Sequence, residues 1–254
     1  MSHVTVTQQD NVLVLTLNRA DKKNALTRQM YQNLADALIQ ANADDNIKVV
    51  RIQGAGDCFT AGNDISDFAG QGDDHQISEV SAFMHALVDC TKPVVAQVHG
   101  LAVGIGTTLL LHCDLVYAAD NTRFALPFIN LGLVPEYASS YLLPRLAGRR
   151  KASEWLMLGE PFSATEACEG GVVTAVLEAE KLTARVDKVC QALAAKPQFA
   201  LHHSKALLNT DKEAIEQHIS VELDLFLEAM ASEPAREAFD AFLHKRPLNP
   251  EKFK

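Results

Sequence analysis

The chain has 254 residues, of which 48% are hydrophobic and 22% charged, so it can bury one sizeable core. Its formal net charge of −9 disfavours general binding to nucleic acid or to anionic membranes. No apolar run approaches the ~20 residues that cross a bilayer, the N-terminus lacks a signal-peptide pattern, and the five cysteines form no C-x-x-C pair. We therefore expect a cytoplasmic protein with reduced thiols and no metal site.

The first half of the chain alternates between strand and helix patterns. Residues 4–17 show alternating apolar positions interrupted by QQDN, which predicts a β-hairpin. Apolar residues at helical spacing after Thr27 predict a helix, and VVRIQG (49–54) predicts a strand that ends in glycine. The pattern then repeats, with strands at PVVAQVHG and LVYAAD and helices at GIGTTLLLHCD, ASSYLLPRLAG and RRKASEWLMLG. This alternation predicts an α/β fold.

The last part of the chain has a different character. A late strand is predicted at GVVTAVLE (171–178), and amphipathic helices then continue to about His244. We divide the chain into a core, residues 1–195, and a C-terminal helical region, residues 196–254. The helix AIEQHISVELDLFLEAM has more apolar positions than an isolated helical hairpin covers. We therefore expect this region to dock on the core or on a second subunit.

Two glycine-containing segments are candidates for binding a ligand through the backbone. In CFTAGNDISDF (58–68) small residues allow close approach of a ligand, although an ordinary turn explains this segment better when it is taken alone. In VHGLAVGIGTTLLLHCD (98–114) glycines precede a predicted helix, whose first N–H groups attract negative charge. Close packing of helix on strand explains these glycines equally well. Their spacing differs from that of the dinucleotide and Walker motifs.

The segment NLGLVPEYASS (130–140) places one acid, Glu136, after a proline among apolar and small residues. The simplest interpretation is an acid in the first turn of the following helix, where the helix dipole favours negative charge. The alternative is a general base in an apolar pocket, where burial raises the pKa of the carboxyl towards neutrality. The residues alone leave both interpretations open.

Taken together, these segments resemble the crotonase family, the enoyl-CoA hydratase and isomerase superfamily, over nearly the whole chain. NRADKKNALT resembles the family element R-P-x-x-x-N-A-L, with alanine at position 20 in place of the usual proline. FTAGNDISDF resembles its A-G-x-D-[IL] loop, and HGLAVGIGTTLLLHCD resembles its glycine-rich segment before C-D-[IL]. The resemblance implies a crotonase-like spiral of strand-strand-helix repeats with a C-terminal helical trimerisation region. It also implies a homotrimer or dimer of trimers that acts on an acyl-CoA thioester.

The resemblance assigns roles to individual positions. The backbone N–H groups of Asn63 and Ile105 would form an oxyanion hole for the thioester carbonyl. The positions that correspond to substrate and coenzyme A contacts are Lys23, Ala25, Ala61, Asp64, Ile65 and Leu126. Lys22 and Lys23 are equally well explained as solvated loop lysines, and Asp64 is expected to organise the oxyanion loop. No separate cofactor is implied, because coenzyme A is part of the substrate.

The resemblance also reduces the number of reactions that the chain is expected to catalyse. Family hydratases use two carboxylates, and this chain has Thr108 and Phe128 at those positions. Glu136 matches the single catalytic glutamate of Δ3,Δ2-enoyl-CoA isomerases, within the form N-L-G-L-x-x-E. An isomerase that shifts a 3-enoyl-CoA double bond to the 2-position is therefore the leading expectation. Another crotonase-type reaction (hydration, hydrolysis or dehalogenation) and non-catalytic acyl-CoA binding are the alternatives. The polar segment 69–80 is expected to be a mobile loop beside the acyl pocket.

Overall fold

The computed structural model describes residues 2–68 and 77–253. The strands are β1 (Val4–Gln9), β2 (Val12–Leu17), β3 (Val49–Gly54), β4 (Val94–Val98), β5 (Leu101–Val103), β6 (Leu115–Ala119), β7 (Arg123–Ala125), β8 (Phe162–Ser163) and β9 (Ala175–Leu177). The helices are α1 (Arg28–Ala43), α2 (Ile65–Phe68), α3 (Ser78–Val88), α4 (Ile105–Thr108), α5 (Ser139–Leu146), α6 (Gly148–Leu158), α7 (Ala164–Glu169), α8 (Ala179–Ala194), α9 (Gln198–Leu208), α10 (Lys212–Met230) and α11 (Glu233–Leu243). Short 3₁₀ turns lie at Ala20–Lys22, Leu109–His112 and Ile129–Leu131.

The strands form a main sheet and a smaller one. The main sheet has the order β1-β2-β3-β4-β6-β9; the β1–β2 hairpin is antiparallel and the other pairs are parallel. Its inner strands are almost continuously apolar, as expected for parallel strands that are covered on both faces. The smaller sheet has the order β5-β7-β8. The result is a mixed α/β fold in which several strands end close to one another.

Each face of the main sheet has its own apolar core. Helices α1 and α3 pack against each other on one face, where the larger core also includes residues of the smaller sheet and of α10. Helix α8 covers the other face with Leu182, Val186, Val189 and Cys190, which recur at helical spacing. These side chains pack against β2, β3, β4 and β6, and this explains why those strands are apolar on both sides.

Most of the elements predicted from the sequence are confirmed, including the hairpin, α1, β3, β4, β6, α6 and the C-terminal helices. Three predictions are wrong in detail. The late strand is only Ala175–Leu177, because Gly170 and Gly171 form a turn and the next two valines pack into the core. Helix α5 is Ser139–Leu146, so it begins one residue after the start of the predicted segment ASSYLLPRLAG and ends two residues before its end. Residues 78–80 belong to α3, while residues 69–76 of the predicted loop lie outside the described residues.

The C-terminal helices contact the core close to the segment that contains Glu136. Helix α10 packs on α5, and α11 packs on the 3₁₀ turn at Ile129–Leu131. Gly132 allows this approach, because a Cβ atom there would lie 2.9 Å from the backbone nitrogen of Ala235. The division at residues 195 and 196 stays a prediction, as does trimerisation. Among the helices of the described ranges, none combines the length and the apolar character needed to cross a membrane.

Candidate active site

Two loops, one after β3 of the main sheet and one after β5 of the smaller sheet, lie against each other because glycine occupies the points of contact. The segments pair through a parallel bridge between Thr60 and Ala102. A Cβ atom at Gly62 would lie 2.7 Å from the carbonyl oxygen of Val103, and one at Gly106 would lie 2.4 Å from Cγ2 of Thr60. Any larger residue would push the loops apart. The glycines of both motifs therefore bring two stretches of backbone together.

The first loop directs the N–H of Asn63 away from the neighbouring segment at Leu26. Leu26 and Asn63 form a parallel bridge in which the N–H of Leu26 donates to Gly62 O and the N–H of Asp64 donates to Leu26 O. Successive backbone groups in an extended segment point in opposite directions. The N–H of Asn63 thus faces the other way, and it has no acceptor within the described part of the chain.

The second loop exposes the first N–H groups of helix α4. Its N-cap, Gly104, has φ 56° and ψ −120°, a conformation open to glycine but strained for other residues. Thr107 and Thr108 donate their N–H groups to Gly104 O. Ile105 occupies the first helical position, where no intrahelical acceptor exists, and its N–H has no partner among the described residues. The two unpaired donors, on Asn63 and Ile105, belong to loops in direct contact.

A buried amide holds the first loop in place. The side chain of Asn24 is fully buried, and its Oδ1 accepts a hydrogen bond of 2.8 Å from the N–H of Arg19. Its Nδ2 donates to the carbonyl oxygens of Ala55, Cys58 and Phe59. This single side chain therefore links the turn after β2 to the segment after β3. Its packing role was not predicted from the sequence, although asparagine is part of the N-A-L motif.

Asp64 is fully engaged in holding the same loop. It forms a salt bridge with Arg19, whose Nη1 also donates to Ala25 O at 3.1 Å. Its other oxygen accepts hydrogen bonds from the N–H and hydroxyl of Ser66. Burial opposes ionisation of Asp64, but the bonds from Ser66 and Arg19 prevail and lower the pKa of its carboxyl. Asp64 thus remains a carboxylate that links this loop to Arg19.

The loops open onto a cavity of about 750 Å³ with a largely apolar wall. Its polar rim includes Arg19, Lys22, Lys23 and Asp64, and its apolar wall includes Val103, Phe128, Leu131, Leu133, Phe226, Met230, Phe239, Phe242 and Leu243. The last five residues come from α10 and α11. The C-terminal helices therefore complete the cavity that the core loops begin.

Glu136 is the second carboxyl on the cavity wall within the described ranges, and its surroundings differ from those of Asp64. The residue is 1% exposed, and its Oε1 has no hydrogen-bond partner among the described residues. Burial, with a smaller contribution from the negative charge of Glu222, raises the pKa of Glu136 to about 8. This is the elevated pKa that the apolar-pocket interpretation requires. The cavity therefore contains a carboxyl that can exchange a proton near neutral pH.

The backbone after Glu136 excludes the interpretation as a first-turn helix acid. Tyr137 and Ala138 both have left-handed conformations, with φ 60° and 54°, and α5 starts only at Ser139. The Tyr137 hydroxyl donates to Met84 O at 2.9 Å, and His112 lies with its ring 3.9 Å from the Tyr137 ring. The Nε2 of His112 lies 2.9 Å from Tyr137 O. These contacts stabilise the strained conformation of Tyr137 and Ala138, which directs Glu136 away from α5 and towards the cavity.

Comparison with known proteins gives the family. The profile described as enoyl-CoA hydratase/isomerase matches residues 7–252 of the chain. The chain belongs to the enoyl-CoA hydratase/isomerase family. It is therefore an acyl-CoA-processing enzyme with a crotonase fold.

Individual members of the enoyl-CoA hydratase/isomerase family are similar over most of the chain. The 1,2-epoxyphenylacetyl-CoA isomerase of Escherichia coli (strain K12) is 35% identical, covering 97% of this chain and 95% of that protein. Enoyl-CoA delta isomerase 2 of Rattus norvegicus is also 35% identical, covering 96% of this chain and 64% of that longer protein. The crystal structure of an enoyl-CoA hydratase/isomerase from Pseudoalteromonas atlantica T6c is 39% identical with a TM-score of 0.92, covering 98% and 99% of the two chains.

Most site positions inferred from the family resemblance meet at the one cavity. Lys23, Ala25, Ala61, Asn63, Asp64, Ile65, Ile105 and Glu136 all line it. Leu126 does not: it follows β7 and is fully buried in the larger apolar core. A side-chain contact between Leu126 and substrate is therefore not supported. The residues missed from the sequence are Arg19 and the apolar side chains of α10 and α11.

Proposed function

We propose that this enzyme is a Δ3,Δ2-enoyl-CoA isomerase in which Glu136 is the single acid-base group. The observation that carries the proposal is the state of the two cavity carboxyls. Asp64 is committed to Arg19 and Ser66, whereas Glu136 has an unpartnered oxygen and a pKa raised to about 8. The 35% identity to enoyl-CoA delta isomerase 2 of Rattus norvegicus supports this proposal.

The residues at the two hydratase positions support isomerisation over hydration. Thr108 is buried, and its hydroxyl lies 3.5 Å from Ile105 O within α4. Phe128 lines the cavity with an aromatic ring. Neither side chain transfers a proton to or from water at neutral pH. With one usable carboxyl, the site suits a reaction in which the same proton is removed and returned.

The reaction proceeds through an enolate. The Glu136 carboxylate takes a proton from C2 of the 3-enoyl-CoA, and the electrons of that C–H bond delocalise through the thioester carbonyl and the C3–C4 double bond. The N–H groups of Asn63 and Ile105 donate to the enolate oxygen, and each such donor lowers the barrier by ~3 kcal/mol. Protonated Glu136 then gives the proton to C4, which leaves the double bond between C2 and C3. No water and no redox partner takes part.

The apolar wall favours this sequence of steps. Phe128, Leu131 and Leu133 line the cavity beside Glu136. These apolar side chains exclude water that would hydrate the carboxylate. Exclusion of water also keeps the proton on Glu136 until C4 accepts it. Ile129, which follows Phe128 in the sequence, is 47% exposed and lies outside the cavity wall.

The polar rim is the place where we expect the coenzyme A portion of the substrate. Lys22, Lys23 and Arg19 line the rim and bring positive charge to a chain whose net charge is −9. Lys23 is paired with Asp57, both side chains being half exposed or more, so a phosphate group competes with Asp57 for this lysine. Ala25 and Ala61 leave room for the thioester arm between the rim and the oxyanion loops. No further cofactor is needed for the proposed reaction.

The assembly we propose is a homotrimer or a dimer of trimers. Helix α9 exposes three large apolar side chains, those of Phe199, Leu207 and Leu208, each at least 75% accessible. Exposed apolar side chains of this size favour contact with another protein surface. Association between copies of the chain would cover them.

Conversion of trans-3-hexenoyl-CoA by the purified protein tests the proposed function. Formation of the 2-enoyl product is followed by the absorbance of the conjugated thioester, and hydration of 2-hexenoyl-CoA is measured in parallel. We expect isomerisation with a hydration rate lower by about 10²-fold or more, because both hydratase carboxylates are missing. Rapid hydration without isomerisation would make the protein a hydratase. Binding of the ligands without either reaction would indicate a non-catalytic acyl-CoA-binding protein.

A further inference from the structure

Glu222 is a second buried acid beside the segment that contains Glu136. It lies on α10, is 5% exposed, and faces the start of α5. Its Oε1 accepts hydrogen bonds from the N–H of Ser140, at 3.0 Å, and from the Ser140 hydroxyl. Its Oε2 has no hydrogen-bond partner among the described residues. A half-satisfied buried carboxylate is costly, so its position calls for a functional explanation.

The contact supplies a cap that α5 lacks in its own sequence. The residue at the N-cap is Ala138, which has no side-chain acceptor for the first N–H groups of the helix. Glu222 provides this acceptor from a distant part of the chain, and its negative charge lies at the positive end of the helix dipole. Helix α10 is thereby joined to the exact stretch of backbone that follows Glu136.

Only the strained turn of Tyr137 and Ala138 separates Glu136 from this cap. Two successive non-glycine residues in the left-handed region are strained. Such a turn persists when the residues on both sides of it are held. His112 and Met84 hold the Tyr137 side, and Glu222 holds the α5 side through Ser140.

We propose that Glu222 is a positioning residue for catalysis, which fixes the direction of the Glu136 side chain by capping α5 and acts on its carboxyl through its own negative charge. The inference rests on the proposed role of Glu136 as the base. It adds a carboxylate that never contacts substrate to the acid-base machinery, and it gives the C-terminal region a part in the chemistry beyond forming the cavity wall.

The negative charge of Glu222 favours the protonated form of Glu136. The charge of Glu222 is the second cause, after burial, that raises the pKa of Glu136. The other titratable groups near Glu136 are the phenols of Tyr31 and Tyr137, and burial raises the pKa of both well above 10. His112, stacked on Tyr137, has its pKa lowered to about 4 by burial and is neutral in the working range.

Two further groups lie close to this pair. Cys113 interacts with Tyr137, and burial raises the pKa of its thiol, so it is also neutral. Burial raises the pKa of Glu222 itself, and the hydrogen bonds from Ser140 and the positive form of His218, which is on the same helix, act in the opposite direction. His218 is thus the neighbouring group whose contribution must be separated from that of Glu222.

The test compares two substitutions of Glu222 in the isomerisation of trans-3-hexenoyl-CoA as a function of pH. Glu222→Gln keeps the acceptor for Ser140 and removes the charge, so the acid limb of kcat/KM is expected to move to lower pH with at most about a tenfold loss of maximal rate. Glu222→Ala removes the cap as well, and we expect kcat to fall by about tenfold or more at every pH while KM changes less.

Two controls make the outcome specific. His218→Asn is expected to leave the acid limb where it is in the wild type, and circular dichroism verifies that each variant is folded. If the acid limb of Glu222→Gln lies at the same pH as that of the wild type, the electrostatic role is overturned. This comparison can be made even if Glu222→Ala does not fold. Equal kcat in folded Glu222→Ala and wild type overturns the positioning role. Glu136→Gln, assayed alongside, separates these failures from failure of the proposed function, because only the latter leaves Glu136→Gln active.

Discussion

Replacing Glu136 with glutamine is expected to lower the rate of 3-enoyl-CoA isomerisation by about 10³-fold or more. Glutamine occupies almost the same volume but cannot accept the C2 proton, and no other uncommitted carboxyl lies among the described cavity residues. The loss is expected in kcat with little change in KM, because the amide still fills the site. The measurement is the initial rate of conjugated-thioester formation. Retention of more than a tenth of the wild-type kcat would remove Glu136 from the mechanism.

The same substitution is expected to stabilise the fold. The pKa of Glu136 is about 8 in the folded protein and near 4.5 in an unfolded chain, so the unfolded chain releases this proton at lower pH. Wild-type stability therefore falls as pH rises from about 4.5 to about 8. Glutamine removes this dependence, and the free energy of unfolding at pH 7 should rise by on the order of 3 kcal/mol. Urea unfolding of the wild type and of Glu136→Gln at pH 7 and below pH 4.5 measures the difference in the free energy of unfolding. This difference should vanish below pH 4.5.

Glu237 provides a control of opposite sign. Hydrogen bonds from Arg246 and from the N–H of Asn249 lower the pKa of Glu237 to about 2. Its stabilising contribution is present above the unfolded pKa and is lost as pH falls towards 2, so Glu237→Gln should destabilise the fold at neutral pH. A loss of stability in both variants would contradict the assignment of an elevated pKa to Glu136.

Replacing Gly62 with alanine is expected to lower kcat by about 10²-fold or more. The added Cβ would lie 2.7 Å from Val103 O, so one of the two loops must move. Movement of either loop changes the distance between the N–H groups of Asn63 and Ile105, and both donors must reach the same enolate oxygen. The effect should appear in kcat for isomerisation, because the enolate charge exists only after proton removal.

Gly148→Ala is the matched control for backbone strain. Gly148 also has a positive φ, 77°, but a Cβ atom there would meet nothing within 4 Å. Alanine at position 148 should therefore lower stability through its left-handed conformation while leaving isomerisation within about twofold of wild type. If both variants lose activity equally, the loss at position 62 reflects general destabilisation and not displacement of the oxyanion loops.

The regular elements were predictable from the sequence because their patterns are local. The β1–β2 hairpin, α1 with Thr27 as its N-cap, and the apolar strands of the main sheet follow from periodicity and turn residues. The strands of the smaller sheet, such as β8, have two or three residues and show no period. They exist because the loops around them are already packed, and this is a tertiary effect.

The candidate site was predictable at the positions where backbone geometry demands particular residues. Gly62, Gly104 and Gly106 are needed for close approach or for an unusual conformation, so the motif itself indicates the loops. The contribution of α10 and α11 was not predictable in the same way. Glu222 lies 82 positions from Ser140 in sequence, and its amphipathic helix shows no local sign of that contact. The contact between Glu222 and Ser140 forms only when the C-terminal region docks on the core.

The measurement that tests the single-carboxyl account most directly uses 3-hexenoyl-CoA with deuterium at both C2 positions. Because Glu136 is 1% exposed, the deuteron it removes should exchange slowly with water and return in part to C4 of the same molecule. The account predicts 2-hexenoyl-CoA with deuterium at C4 at early conversion in ordinary water, as read by mass spectrometry. Product that carries only solvent hydrogen at C4 would contradict transfer by one shielded carboxyl.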